Sequence, residues 1–296
     1  MNGDDVNAAY GRTAGRRSTG ACTSLAVAWL LAAAVPASAA AADGLRILLV
    51  DDDWSANNGN ARDTRLSPSD QVFRKLASDA ASGDARSWAV ETVAPNRSGP
   101  SLDLLRNYSL ILWYTGSSYG GNPDNTAVVS VEDEKVLRQY LEQVGGGVVI
   151  FSPGYAGKVL GFGGGWDKAA WPFLQEVLGL RGGRGLVQRF QPGTVTGAQG
   201  EEFQVGKGSS AVESQFSAVN PGAATVLFSA ELAAMKTPGG PVPVATVSRY
   251  GRGRIAYVGF TFENLAPAEL TPAFEQILAA TAPGTRQVAE PQRVAR

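Results

Sequence analysis

The chain has 296 residues, 44% of them hydrophobic, and its 26 basic and 27 acidic side chains leave a formal charge of -1. That composition supports a sizeable core, and without a basic stripe it excludes nucleic acid as an expected partner. There is no histidine, and Cys22 is the single cysteine, so no disulfide can form within the chain.

Arg12, Arg16 and Arg17 precede an apolar run over 25–34, which is followed by the small-residue motif Ala37-Ser38-Ala39. A basic region, a short apolar region and a small-residue site together read as a secretory signal peptide cut after Ala39. The apolar run is too short to span a bilayer comfortably. A periplasmic or extracellular chain with no stable membrane anchor after processing is expected. Cys22 precedes the apolar run, so it does not read as a lipid-attachment site, and it leaves with the leader. The remaining chain would hold neither imidazole nor thiol. Ser-His-Asp and Cys-His catalysis are then excluded, as are zinc sites built on those ligands.

Residues 47–50, Ile-Leu-Leu-Val, run straight into Asp51, Asp52 and Asp53. A short continuous apolar run reads as a buried strand of a parallel sheet, and ligands in such sheets bind beyond the strands' carboxyl ends. Ser67-Pro68 reads as N-cap and first helical residue, with Val72, Phe73, Leu76, Ala77 and Ala80 at helical spacing behind it. Residues 88–94 and 108–116 read as a second and a third strand. Ser130 caps the next helix, with Asp133 at the capping-box position and an apolar stripe of Val136, Leu137, Tyr140, Leu141 and Val144. Gly145-Gly146-Gly147 stops it, and residues 148–151 form a fourth strand that ends in Ser152-Pro153-Gly154-Tyr155. The alternation of strand and helix predicts an α/β fold with a doubly wound, mostly parallel sheet.

The pattern then changes. Residues 161–166 read as a glycine-rich loop, and 171–178 as a short helix with Pro172 in its first turn. Residues 186–243 read as a β-rich insertion or flank, and 244–260 as a hairpin turning at Gly251-Arg252-Gly253. Thr271-Pro272 is expected to open a last helix carrying Phe274, Ile277 and Leu278, with a loose tail over 284–296. A single domain over 40–283 follows.

Taken together, residues 47–53, 110–116, 141–147 and 250–260 resemble the class I glutamine amidotransferase-like fold, in the version common in secreted bacterial proteins. The resemblance implies a flavodoxin-like sheet. It also implies a degenerate active site, because Ser152 stands where active members carry their cysteine nucleophile. Thr261 replaces the histidine base, and Glu263 keeps the acid. A serine hydroxyl needs a base to take its proton, and Pro153 has no N–H to contribute to an oxyanion hole.

The expected function is therefore binding, not turnover. A saccharide, a peptide or a secreted partner protein would sit at the strand ends, against Asp51, Asp52, Asp53 and Glu263 and the rings of Trp54, Tyr114, Tyr119 and Tyr155. The alternative is a carboxylate- or metal-dependent hydrolase built on the same acids, whose environments would split their pKa values. No organic cofactor is expected. The aspartate run could bind calcium or magnesium, helped by Asn57, Asn58 or Asn60, although Asn58 and Thr64 break the calcium-loop pattern. The exported chain is predicted to begin at Ala40, which N-terminal sequencing of the secreted protein checks. An intact mass that includes residues 1–39 would refute it.

Overall fold

The chain divides into two units, residues 1–39 and 40–296. A computed structural model describes residues 45–53, 66–81, 87–93, 98–116, 129–155, 172–181, 187–189, 193–206, 215–231 and 240–282. The expected leader, Trp54, the asparagines of the loop after it, Tyr119, the 161–166 glycine loop and the 284–296 tail lie outside the described residues.

The apolar run forms β1 (Ile47–Asp51), buried along its whole length. Helix α1 (Pro68–Ala80) starts at the predicted cap. The Ser67 side chain accepts from the Asp70 amide, the Asp70 side chain accepts from the Ser67 amide, and Pro68 takes the first turn, where its missing N–H costs nothing. Strand β2 (Trp88–Thr92) follows, then a short α2 (Leu102–Leu105) capped by Ser101, β3 (Leu110–Tyr114) and α3 (Val131–Gln143). Helix α2 was not foreseen, since four residues are too few to display a helical period. Helix α3 carries the expected Ser130–Asp133 capping box. It gives way to Gly145 at φ +81°, a conformation open to glycine, and then to β4 (Gly147–Phe151).

Residues 173–177, expected as part of a short helix, form a single π-helical turn. Strands β5 (Val187–Arg189), β6 (Gly193–Gly197), β7 (Glu202–Val205), β8 (Gln215–Ser217) and β9 (Thr225–Glu231) follow. The predicted hairpin is β10 (Val242–Tyr250) and β11 (Gly253–Val258), joined by a two-residue turn with Gly251 at φ +56°. The last helix, α4 (Pro267–Thr281), opens more than a turn earlier than expected. Pro267 takes the first-turn position, and Pro272 sits inside the helix.

Nine strands make one mixed sheet in the order β2-β1-β3-β4-β11-β10-β9-β6-β7, and β5 and β8 pair separately. The first four strands are parallel, and β11 lies parallel to β4. The remaining neighbours in the sheet are antiparallel. The mostly parallel expectation is thus corrected to a mixed sheet. The hairpin sets β10 antiparallel to β11, and β9, β6 and β7 extend the sheet outward from β10 by antiparallel pairing.

Side chains alternate across the sheet. Ile47 and Leu49 join a core with Phe73 and Leu76 of α1 and with Phe274 and Ile277 of α4. Leu48 and Val50 join a second core, with Leu137, Tyr140 and Leu141 of α3. Each fully buried aliphatic or aromatic side chain there stabilises the fold by about 1.5–3 kcal/mol. Gly147 lets α4 close on the sheet: a Cβ at that position would come within 2.5 Å of the Thr281 carbonyl oxygen and 2.9 Å of Leu110 Cδ1. Gly147→Ala is therefore expected to cost about 1–3 kcal/mol through overpacking, as measured by urea unfolding.

Candidate functional site

The carboxyl end of β1 is an acidic junction. Alternation carries Asp51 and Asp53 to the α1 face and Asp52 to the opposite one. From α1 come Ser67, Ser69 and Asp70. From β3 come Tyr114 and Gly116, and Glu263 comes from a short 3-10 turn (Phe262–Asn264) ahead of α4. Asp51, Asp53 and Asp70 are each 7% exposed and Glu263 is 5% exposed, so four carboxyl groups share one dry region.

Their donors are hydroxyls and amides. Tyr114 Oη donates to Asp70 Oδ1 at 2.6 Å, and the Ser67 amide donates to Asp70 Oδ2 at 2.8 Å. Ser67 Oγ accepts from the Asp70 amide at 2.9 Å and donates to Asp53 Oδ2 at 3.0 Å, so the helix cap is also a strut to the strand end. Ser69 Oγ donates to Glu263 Oε1 at 2.7 Å. Asp51 receives two longer bonds, from the Asp53 amide at 3.2 Å and from Thr92 Oγ1 at 3.3 Å. Gly116 stands at φ +52°, and its α-carbon lies so close to the Asp53 carboxylate that any Cβ would collide with it.

Burial raises the Asp51 carboxyl to about 7. The neighbouring Asp70 and Asp53 carboxylates push in the same direction, while the Asp53 amide opposes them. Burial likewise raises Glu263 to about 7. A backbone N–H and Ser69 oppose the shift, and the charge of Asp53 adds to it. The Tyr114 hydroxyl is pushed upward by burial and by Asp51 and Asp70, so it stays a proton donor throughout the physiological range.

Of the residues expected at this site, Asp51, Asp53, Tyr114 and Glu263 meet here. Asp52 does not: on the other face its Oδ2 accepts from Trp113 Nε1 at 3.1 Å. The three consecutive aspartates therefore do not converge on one point. Among the described residues, no group of three or more carboxylates is arranged to hold a metal ion. Tyr155 also lies on the α3 face, buried, and donates to Glu134 Oε1 at 2.7 Å. Tyr114 is wholly buried and stacks on Phe73, with ring centroids 4.5 Å apart.

Ser152 and Thr261 are fully buried. Ser152 Oγ accepts from Thr115 Oγ1 at 2.9 Å and from the Tyr155 amide at 3.2 Å, and its carbonyl accepts from Tyr257 Oη at 2.8 Å. The Ser217 hydroxyl donates to the Pro153 carbonyl. Sequence reasoning missed Ser67, Ser69 and Asp70 as members of the junction. The signal was available in part, since Ser67-x-x-Asp70 is a capping box, but nothing local showed that the cap would face a strand end.

No family model matches the chain, and no curated protein does. Among solved structures, it is similar to a beta-galactosidase from Bacillus circulans at 11% identity and a TM-score of 0.46. That match covers 79% of this chain and 30% of the galactosidase. A ThuA-like protein from Parabacteroides merdae matches at 14% identity and a TM-score of 0.43, covering 83% of this chain and 93% of the other. A cytoplasmic protein from Salmonella typhimurium matches at 14% and 0.46, covering 80% and 99%. The chain spans 30% of the length of the first beta-galactosidase it matches, and likenesses this remote assign no activity.

The resemblance to class I glutamine amidotransferases is corrected by these findings. No family model supports it, and the similar structures include beta-galactosidases and a ThuA-like protein. The stretches that carried it are buried strands, a helix end and turn glycines, which are ordinary parts of an α/β sheet. Ser152 and Thr261 accordingly lose their standing as replaced catalytic residues. Glu263 is a member of the acidic junction and not the remnant of a triad.

Tyr114→Phe keeps the ring stacked on Phe73 but strips Asp70 Oδ1 of its 2.6 Å donor. It is expected to destabilise the protein by about 1.5–3 kcal/mol in chemical denaturation, the scale of a hydrogen bond to a charged group.

Proposed function

We propose that this is an exported α/β domain that binds a polar ligand at the carboxyl edge of β1 and β3 without turning it over. A saccharide, a peptide or the surface of a secreted partner protein has the required chemistry. The observation that carries the reading is the group of buried acids, Asp51, Asp53, Asp70 and Glu263, at the carboxyl end of β1 in a chain without histidine.

The edge itself supports the location. β1 and β3 are hydrogen-bonded neighbours in register, so their carboxyl ends, Asp51 and Tyr114, lie side by side. The strand order β2-β1-β3-β4-β11, with helices packed on both faces, supports a doubly wound, flavodoxin-like reading of that half. On this reading β9, β6 and β7 are a β-rich flank. The basic and apolar leader supports export. Among the described residues, no helix is long and apolar enough to cross a membrane. The net charge of -1 argues against nucleic acid.

One observation favours a second reading, a carboxylate-dependent hydrolase: Asp51 and Glu263 are both raised to about 7, where a carboxyl group can act as an acid. Glycan and peptide arrays probed with the processed protein, paired with a hydrolase panel, separate the two. Binding without turnover is expected, with amide-exchange protection over residues 45–53 and 110–116. Hydrolysis abolished by Asp51→Asn would establish the second reading, and protection confined to β7 and β9 would overturn the proposed location.

A further inference from the structure

The junction of Asp51, Asp53, Asp70 and Glu263 joins four pieces of chain that are far apart in sequence. They are the ends of β1 and β3, the first turn of α1 and the 3-10 turn ahead of α4. Asp51 is buried beside Asp70 and Asp53, and its two hydrogen-bond donors, the Asp53 amide at 3.2 Å and Thr92 Oγ1 at 3.3 Å, are distant ones, so its protonated form is favoured.

Among the described residues, few groups face Asp51 and Asp70. On β1, Asp53 adds a third carboxylate, and on β2, Thr92 offers a hydroxyl. On β3, Tyr114 donates to Asp70. On α1, Arg74 lies near Tyr114, but its Nε is buried without a hydrogen-bond partner, and it does not figure among the influences on Asp51. Glu263 faces Ser69 and the charge of Asp53. Losing the proton from Asp51, or from Glu263, would set carboxylates against one another in a region that water barely reaches.

We propose that this junction is a proton-operated latch: bound protons hold the first turn of α1 against the strand ends and the 262–264 turn, and their release to solvent as pH rises loosens that turn. The sign follows from linkage. Asp51 and Glu263 are raised from 3.8 and 4.5 to about 7, so the folded chain binds more protons than the unfolded one between those values. Their contribution is fully present at acidic pH and is lost as pH rises through about 7. The chain contains no histidine, the one side chain that ordinarily titrates between pH 5 and 8, so this window carries little else.

The test follows thermal unfolding and amide exchange of the full chain from pH 5 to pH 8. The melting temperature is expected to fall across that range by on the order of 5 °C. Exchange corrected for its intrinsic pH dependence should rise at residues 69–71. It should not rise at residues 131–134, where α3 has the same Ser-x-x-Asp cap, with its own acids Glu132 and Glu134, on the opposite face of the sheet from α1. Asp51→Asn and Glu263→Gln, both permanently neutral, should flatten the slope, and Asp103→Asn at the exposed pair with Arg106 should leave it unchanged. A wild-type melting temperature that is flat or rising from pH 5 to 8 overturns the latch, as does equal loosening of both caps. Both of these outcomes are read on the wild-type chain, so the latch can be overturned even if a variant fails to fold.

Discussion

The hydrogen bond from Tyr114 to Asp70 ties the parallel half of the structure together at the carboxyl ends of β1 and β3. Tyr114 is the last residue of β3 and is locked in the core by its stack on Phe73, which is itself a residue of α1. Asp70 belongs to the capping box that starts α1. One 2.6 Å contact therefore fixes where the helix begins relative to the strand end. The other polar contacts of the junction then follow. Ser67 can reach Asp53 and Ser69 can reach Glu263 only because the helix start is held at that height. A buried tyrosine hydroxyl and a buried carboxylate each need a partner, and each satisfies the other.

The same edge explains why the aspartate run is not a single functional unit. Consecutive strand residues point to opposite faces, so Asp51 and Asp53 enter the α1 core while Asp52 turns to Trp113. The acids that gather are instead every second residue of the strand, joined by one from the helix and one from a turn. Glu263 lies 194 residues from its partner Ser69, a separation at which local pattern carries no information.

Parallel strands with helices on both faces form a scaffold open to many sequences, and fold-level likeness does not transmit chemistry. The glycines that suggested a shared ancestry serve geometry here. Gly145 ends α3 with a positive φ, and Gly251 turns the β10–β11 hairpin. Both are demands of the backbone, and neither requires a shared active site.

Local physics made much of this protein legible in its sequence. The buried β1 run, the Ser67 and Ser130 caps, the stop at Gly145 and the Gly251 turn depend on neighbours a few residues apart, and each is where the sequence puts it. The absence of histidine excluded whole classes of chemistry before any fold was known. Tertiary structure alone decided the antiparallel extension of the sheet, the burial of Tyr114 and Tyr155, and the choice of carboxylates that share one space. Strand partners and buried neighbours come from distant parts of the chain. A carboxyl group's proton affinity depends on those neighbours more than on its own residue type.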